Sequence, residues 1–236
     1  MVLDSGNSIS TVGRATATSD PSQGELPVEA MNAMGYDAMA VGDRDLNREA
    51  AVVAALFQAA EFPLLSANLG PAGVLPNIRP YLLREVNGQT VAIIGVTSPI
   101  ALQRSDTLGV TLEVESTVRA VGRVVEEVRD SAAVVILLSS LGDEANETLA
   151  EQVSGIDAII GAAGGRQTRP RVVAGPAGQV VLQSSGVQGR SLGVLVLQFD
   201  AQGQVVDFSW SLQDLTSEIA DDQQMVLIMQ KYGVKP

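Results

Sequence analysis

The stretch MNAMGYDAMAVGDRDLN at residues 31–47 decides the predicted fold of this chain. Gly35 is typical of the residue that ends a helix, because glycine adopts the left-handed conformation without strain. A short apolar strand is predicted over residues 38–41, and a polar turn follows it directly. In sheets flanked by helices, binding and catalytic side chains lie at the carboxyl ends of such buried strands. The turn at residues 42–47 is therefore the first candidate for a functional site.

The same alternation of helix and strand extends along the rest of the chain. Apolar residues at helical spacing predict helices, and short apolar runs bounded by turn residues predict buried strands. Asn87-Gly88 is a strong turn signal between the two strands of a hairpin. Residues 97–109 show neither pattern and are predicted to be a loop. Helices are predicted at residues 26–34, 48–60, 113–130, 143–153 and 221–232, and strands at 81–86, 89–96, 132–140, 156–161, 171–174, 179–184, 192–200 and 204–212.

Composition excludes several classes of function. Twenty-seven acidic and 15 basic residues give the 236-residue chain a formal charge of −12, which argues against nucleic acid and anionic membranes as partners. No run of roughly 18 apolar residues is present, so no membrane span is expected, and no signal peptide is visible. The chain has neither cysteine nor histidine. It therefore lacks thiolates, the commonest general base and the commonest ligand for zinc.

Several segments resemble one known family in order along the chain. They are YDA at 36–38 with GDRD at 42–45, FPLLSANL at 62–69, and LSSLG at 138–142. The 5′-nucleotidase family of calcineurin-like metallophosphoesterases has "YDa…GNHEFD", "FPvlsANl" and "LSHLG" at these places. The resemblance runs from Val2 to Tyr232.

The resemblance implies the fold and the domain organisation. The family has an α/β fold, a four-layer α/β/β/α metallophosphoesterase-like sandwich of two mixed sheets. Residues 1–215 are expected to form this domain, and residues 216–236 a linker-type helix at its C-terminus. The first family strand, which carries an Asp-x-His pair of metal ligands, would precede Met1 and is missing from this sequence. We expect the edge that this strand would cover, beside residues 2–4, either to bind a protein partner or a second copy of the chain, or to be closed by a sheet that packs around a shortened core.

The resemblance also implies a site for two divalent metal ions, but this chain departs from the family's ligands. Arg44 occupies the position of the family's catalytic histidine, so no catalytic residue is predicted. The family's bridging aspartate, its asparagine and its three remaining histidines are replaced by Asn7, Asp43, Ser140, Ala163 and Gly165. A gapped match places Arg166 and Gln167 at the last two positions, and neither version supplies an imidazole. No metal site and no cofactor are therefore predicted.

Two functions from different classes remain open at this point. The first is a catalytically inactive 5′-nucleotidase-like domain that serves as a binding or structural module. The alternative is a metal-dependent phosphoester hydrolase whose remaining ligands come from a missing upstream segment. Ser139-Ser140 suggests a nucleophile, but no histidine or nearby lysine is available to activate it. The compartment is not predicted from the residues, although the family resemblance suggests an exported or periplasmic protein.

A residual polar cluster is predicted where the family has its metals. It comprises Asp4, Asn7, Asp43, Arg44 and Asp45. One interpretation of Arg44 is a clamp for an anion such as phosphate. The other is that Arg44 pairs with one of the three aspartates inside a structural turn. The three carboxylates are candidates for an oxygen-only calcium or magnesium site, but short Asp turns more often bond to their own backbone.

Overall fold

Two β-sheets stack face to face between two layers of helices in the computed structural model of the chain. The structure describes residues 1–9, 22–71, 73–161, 169–184, 190–200 and 205–235. The strands are β1 (Leu3–Asp4), β2 (Ala38–Ala40), β3 (Leu64–Leu65), β4 (Leu69–Gly70), β5 (Ile78–Arg79), β6 (Tyr81–Val86), β7 (Gln89–Val96), β8 (Glu113–Val114), β9 (Val134–Ser139), β10 (Ala158–Gly161), β11 (Arg171–Gly175), β12 (Gly178–Gln183), β13 (Ser191–Phe199) and β14 (Val205–Asp214). The α-helices are α1 (Glu25–Met34), α2 (Ala50–Ala59), α3 (Ser105–Leu108), α4 (Thr117–Val128), α5 (Asp143–Gln152) and α6 (Gln223–Lys231), with 3₁₀-helices at Arg44–Leu46, Pro99–Arg104 and Arg129–Ser131.

The first sheet has the strand order β1-β2-β3-β5, and these four strands pair in parallel. Side chains of successive residues point to opposite faces of a strand, and the stretch around β2 shows this clearly. Met39 and Val41 pack on the side of α1 and α2. Ala38 and Ala40 face the second sheet, where their small side chains let the two sheets approach closely. Strand β2 is thus buried on both faces.

The second sheet has the order β11-β12-β10-β9-β7-β6 and is mixed, with antiparallel strands β11 and β6 at its edges. All six residues of β9 are buried, as expected for a strand covered on both sides. One face of this sheet packs against the first sheet. The other face packs against α4 and α5 through residues such as Val121, Val124 and Leu149.

Gly95 marks the place where the two sheets come closest. A Cβ atom added at Gly95 would overlap the backbone carbonyl of Leu65 in the facing sheet. The neighbouring backbone bonds confirm the contact, because the N–H of Ala67 donates to the carbonyl of Gly95 at 2.8 Å. Glycine here allows the carboxyl ends of β3 and β7 to meet, and both ends contribute to the candidate site.

The last hairpin stands apart from both sheets. Strands β13 and β14 pair with each other in antiparallel orientation and form a separate two-stranded sheet. Leu197 and Phe199 pack against the core between the sheets. Side chains on the other face of β13 are exposed, among them Val194 and Val196. Within the described residues, β1 pairs with β2 alone and β13 with β14 alone.

The four-layer α/β/β/α fold predicted from the family resemblance is confirmed. The hairpins at Asn87-Gly88, at residues 171–184 and at residues 191–214 are confirmed as well. No helix among the described residues is long and apolar enough to cross a membrane. Helix α6 packs against α1 and buries Ile228; the domain boundary at residue 215 stays a prediction.

Two predicted elements are wrong in detail. The helix predicted at residues 113–130 begins at Thr117, because residues 113–114 form β8, which pairs with β4. Ser116, a residue type preferred at helix N-termini, precedes the true start. The loop predicted at residues 97–109 contains a 3₁₀-helix and α3. Ser98 caps that 3₁₀-helix by accepting the N–H of Ile100, and a proline follows at its first position.

Candidate functional site

The predicted polar cluster lies at the carboxyl ends of β1 and β2. Asp4 is the last residue of β1, and Asp43 and Asp45 follow β2 in the turn that contains the short 3₁₀-helix. Parallel strands bring their carboxyl ends to the same edge of a sheet, so the two loops meet there. Hydrogen bonds between the two loops join them closely.

Asp45 binds the two loops together. Its carboxylate accepts the backbone N–H groups of Asn7 at 2.8 Å, Gly42 at 2.9 Å and Ile9 at 3.0 Å. The residue is completely buried. Burial raises the pKa of Asp45 to about 6, and the three N–H donors, which favour the ionised form, oppose this rise. The nearby carboxylate of Asp4 adds a smaller upward effect on the same pKa. Asp45 is therefore a structural clamp for backbone N–H groups.

Asp4 closes the turn that follows β1. Its carboxylate accepts the N–H of Gly6 at 2.7 Å and the hydroxyl of Ser8 at 2.9 Å. Desolvation by burial raises the pKa of Asp4, and these two hydrogen bonds oppose it. Like Asp45, Asp4 uses its oxygens to satisfy the chain's own backbone and side chains. This arrangement is typical of short Asp turns.

Asn7, which the resemblance predicts at the position of the family's bridging aspartate, also bonds to the neighbouring turn. Its Oδ1 accepts the backbone N–H of Arg44 at 2.8 Å. Gly42 lies so close that an added Cβ atom would overlap the Asn7 side chain and its backbone nitrogen. The side-chain oxygen of Asn7 therefore packs against protein backbone and is hydrogen-bonded there.

Asp43, which the resemblance predicts at the position of the family's asparagine ligand, is bound by an arginine from a distant segment. The Arg104 Nη2 atom donates to Asp43 Oδ2 at 2.8 Å. The two side chains are 27% and 11% exposed, so the pair is largely shielded from water. Arg104 comes from the end of the 3₁₀-helix at 99–104, which sequence patterns predicted to be loop. No local signal in the sequence pointed to this arginine.

Arg44 does not form the predicted ion pair with Asp4, Asp43 or Asp45. The residue is exposed, and its side chain makes no ion pair with any residue in the described part of the chain. Asp43 is paired with Arg104 instead. Arg44 therefore lies at the rim of the cluster, where no carboxylate of the described residues pairs with it.

Ser140, predicted at one of the family's histidine positions, contacts Ser98, the residue that precedes the 99–104 helix. Its hydroxyl accepts the N–H of Ser98 at 3.0 Å and donates to the carbonyl of Val96 at 3.3 Å. The neighbouring Ser139 donates to Asn146 of α5 at 2.5 Å. Both hydroxyls are buried and hydrogen-bonded to protein atoms. Neither hydrogen-bonds, within the described residues, to a base that would make it a nucleophile.

A buried network that sequence patterns did not predict holds these strand ends in place. Asn68 accepts the N–H of Thr97 and donates to its carbonyl, both at 2.8 Å. The Thr97 hydroxyl donates to the carbonyl of Val41 at 2.8 Å and lies 2.7 Å from the hydroxyl of Ser66. Thr97 thus connects the ends of β2, β3 and β7. It fixes the start of the segment that delivers Arg104.

These residues do not fit a two-metal site. Two-metal hydrolysis requires a bridging carboxylate and several further ligands to hold ions roughly 3.5–4 Å apart. Asn7, Asp43 and Ser140 are each bonded to protein groups, and one of those groups is a permanently charged guanidinium. Among the described residues, no group of three or more acidic, histidine or cysteine side chains is placed to hold a metal ion. Ala163 and Gly165, and the alternative positions Arg166 and Gln167, lie outside the described residues.

Comparison with known proteins identifies the relatives of the chain, although no family model matches it. The 5′-nucleotidase of Bos taurus is 30% identical over 87% of this chain and 39% of its own length. A snake venom 5′-nucleotidase of Gloydius brevicauda is 28% identical over 90% of the chain and 40% of its own length. The chain therefore spans about two fifths of the length of the curated relatives it matches.

Solved structures show the same fold. A 5′-nucleotidase precursor from Thermus thermophilus matches 98% of this chain with a TM-score of 0.81 and 22% identity, over 48% of its own chain. A calcineurin-like phosphoesterase, YfkN from Bacillus subtilis, matches 98% of this chain and 81% of its own with a TM-score of 0.73 and 21% identity. Shared sequence over most of its length shows that this chain is related to the 5′-nucleotidases, and the solved structures show that it has the fold of the calcineurin-like metallophosphoesterases.

Proposed function

We propose that the chain is a catalytically inactive 5′-nucleotidase-like domain that serves as a binding or structural module. The observation that carries this proposal is the ion pair between Arg104 and Asp43. A guanidinium stays protonated at any working pH, so Arg104 places a fixed positive charge on the side chain that occupies a ligand position. A divalent cation would have to displace this charge before it could bind Asp43.

The proton chemistry of hydrolysis also has no candidate residue in the cluster. A leaving group needs a general acid whose pKa lies near the working pH. Arg44 occupies the family's catalytic position, but a guanidinium cannot give up its proton there. The buried carboxylates of Asp4 and Asp45 are committed to hydrogen bonds with their own loops. The cluster is built to stabilise the turn between β2 and the Arg44–Leu46 helix.

A turnover assay tests this proposal. The purified chain is incubated with nucleoside monophosphates or p-nitrophenyl phosphate, with zinc or manganese added, and released phosphate is measured. We expect no release above background, and none from Arg44→His, since this change leaves Asn7, Asp43 and Ser140 unaltered. A catalytically active member of the family serves as the positive control. Robust, metal-stimulated turnover would contradict the proposal and support the alternative, a metal-dependent phosphoester hydrolase.

As a binding module, the chain has an exposed strand that is suited to pairing. Strand β13 is nine residues long, presents Leu192, Val194 and Val196 to solvent, and has one unpaired edge among the described residues. Long, flat, apolar edges are templates for strand addition. We propose that a second copy of the chain pairs along β13 as a self-complementary dimer. The edge beside residues 2–4 stays a predicted site for a protein partner or a second copy. Sedimentation equilibrium should show a dimer that Val194→Lys dissociates, and a monomer at all concentrations would rule this out.

The compartment and the excluded partners are proposals as well. The resemblance to the family suggests an exported protein, and one relative is a snake venom protein. Fractionation of cells that express the full native gene would test this. The charge of −12 leads us to expect no binding to nucleic acid. A gel-shift titration with DNA at low salt would detect binding if this expectation were wrong.

A further inference from the structure

A pocket opens at the carboxyl ends of β3 and β5, in the same sheet as the polar cluster but apart from it. Its volume is about 220 Å³. This lies below the roughly 300–1,000 Å³ of pockets that enclose a drug-sized molecule, so a ligand here would be small. The ends of parallel strands are the usual place for ligands in α/β sheets. The pocket shares none of the residues of the polar cluster.

The inner wall of this pocket is apolar. It is formed by Leu69, Val74, Leu75, Ile78 and Leu112. Leu75 and Leu112 are buried, and the other three pack against the core between the first sheet and α1 and α2. This wall is thus a rigid extension of the hydrophobic core. A ligand would gain affinity by covering it with an alkyl chain.

Two arginines line the same pocket. Arg123 of α4 donates through Nη2 to the carbonyl of Ala67 and to the carboxylate of Glu115, both at 3.2 Å. These bonds hold the Arg123 guanidinium in place through Nη2, and its other N–H groups remain available to a ligand. Arg79 is exposed and makes no ion pair with any residue that the structure describes. The chain has nearly twice as many acidic as basic residues, yet Arg79 pairs with none of the described carboxylates and lines the same pocket as Arg123.

We propose that this pocket binds a small organic anion, a monocarboxylate with an alkyl chain of roughly four to six carbons. Its carboxylate would accept hydrogen bonds from Arg79 and Arg123, which match carboxylate geometry in a bidentate manner. Its chain would lie along Leu69, Leu75 and Leu112. Inorganic phosphate would satisfy the arginines but would leave the apolar wall exposed to water, so it fits the pocket less well.

Titration of the full chain by nuclear magnetic resonance tests this proposal. Amide shifts are followed while hexanoate, hexanol of equal chain length, or inorganic phosphate is added. We expect saturable shifts with hexanoate that centre on residues 66–70 and 112, and clearly weaker binding of hexanol and phosphate. Absence of saturation with hexanoate, or equal affinity for hexanol, would overturn the proposal. Binding of phosphate more tightly than hexanoate would overturn it too.

Variants of the arginines complete the test. Arg79→Gln should weaken hexanoate binding about three- to fivefold, the loss expected for a partly exposed charge pair. Arg123→Gln should act in the same direction. Arg119→Gln is the matched control, because Arg119 lies on the same helix, also faces Glu115 at 3.9 Å, and does not line the pocket. If Arg119→Gln weakens binding as much as Arg79→Gln does, the effect is general electrostatics and the proposed site is wrong.

Discussion

Arg104 Nη2 lies 2.8 Å from Asp43 Oδ2, although the two residues are 61 positions apart in the chain. The pair joins the turn after β2 to the segment after β7. The guanidinium holds Asp43, a predicted family ligand position, in a contact between two segments of the chain. The Arg104–Asp43 ion pair is the main observation behind the proposal that the domain is inactive, and its coupling free energy can be measured.

The first prediction concerns the coupling between these two side chains. A double-mutant cycle with Arg104→Ala and Asp43→Asn should give a coupling free energy of about 1–2 kcal/mol in urea unfolding, because the pair is mostly shielded from water. The matched control is the cycle for Arg119 and Glu115, which are 78% and 37% exposed and 3.9 Å apart. That cycle should give less than about 0.5 kcal/mol. Equal values in the two cycles would argue against a special role for Arg104.

The second prediction concerns the clamp at Asp45. Asp45→Ala removes the acceptor of three backbone N–H groups, two of them from the loop after β1. Each buried donor left without a partner costs about 1–3 kcal/mol, so three such donors predict a total loss of roughly 3–9 kcal/mol in the free energy of unfolding. Asp45→Asn keeps one oxygen acceptor and should lose less. Chemical unfolding of both variants checks the order, and an Asn variant less stable than the Ala variant would contradict the role of Asp45 as a clamp.

The third prediction is the pH dependence of that clamp. The pKa of Asp45 is raised to about 6 in the folded state from its ordinary value of 3.8. The folded chain therefore binds more protons than the unfolded chain between these values, so the stability that Asp45 contributes falls as pH rises from about 4 to about 6. Asp45→Asn should consequently cost more stability near pH 4 than near pH 7. A larger cost near pH 7 in chemical unfolding would show that the sign is wrong.

The fourth prediction concerns the close approach at Gly42. An added Cβ atom would overlap Asn7, so Gly42→Ala should destabilise the chain by at least about 1–3 kcal/mol. Gly122 of α4 is the matched control, since nothing lies within 4 Å of its added Cβ atom. Gly122→Ala should stabilise the chain by about 0.5–1 kcal/mol through helix propensity. Thermal unfolding of both variants separates the two effects, and an unchanged midpoint for Gly42→Ala would contradict the described packing.

The sequence predicted much of the fold because the relevant signals are local. Consecutive residues predict each of these elements: the apolar strand at 38–41, the turn at Asn87-Gly88 and the apolar run of β9. The exact start of α4 was missed, because residues 113–114 belong to a strand whose partner, β4, lies more than forty residues earlier. Long-range pairing of two-residue strands leaves no periodic pattern to read.

The candidate site was predicted in part. The residues around Asn7 and Asp45 were found because a family resemblance and the ends of strands pointed to the same loops. Arg104 and Thr97 were missed, since both lie in a segment without periodicity, and the bonds they form depend on how the two sheets stack. One interpretation of the sequence paired Arg44 with an aspartate of the cluster, but Arg104 provides the positive charge beside Asp43. A sequence shows which charges are present, but the partner of each charge is decided by tertiary contacts.

The most direct test of the central claim is a calorimetric titration of the purified chain with zinc and with manganese. Asp43 is paired with Arg104, and the chain has no histidine or cysteine to act as a ligand. We therefore predict no sub-micromolar site for either metal, and weak binding of calcium or magnesium to surface carboxylates would leave this prediction intact. A sub-micromolar zinc or manganese site that is lost on Asp43→Ala would contradict the account.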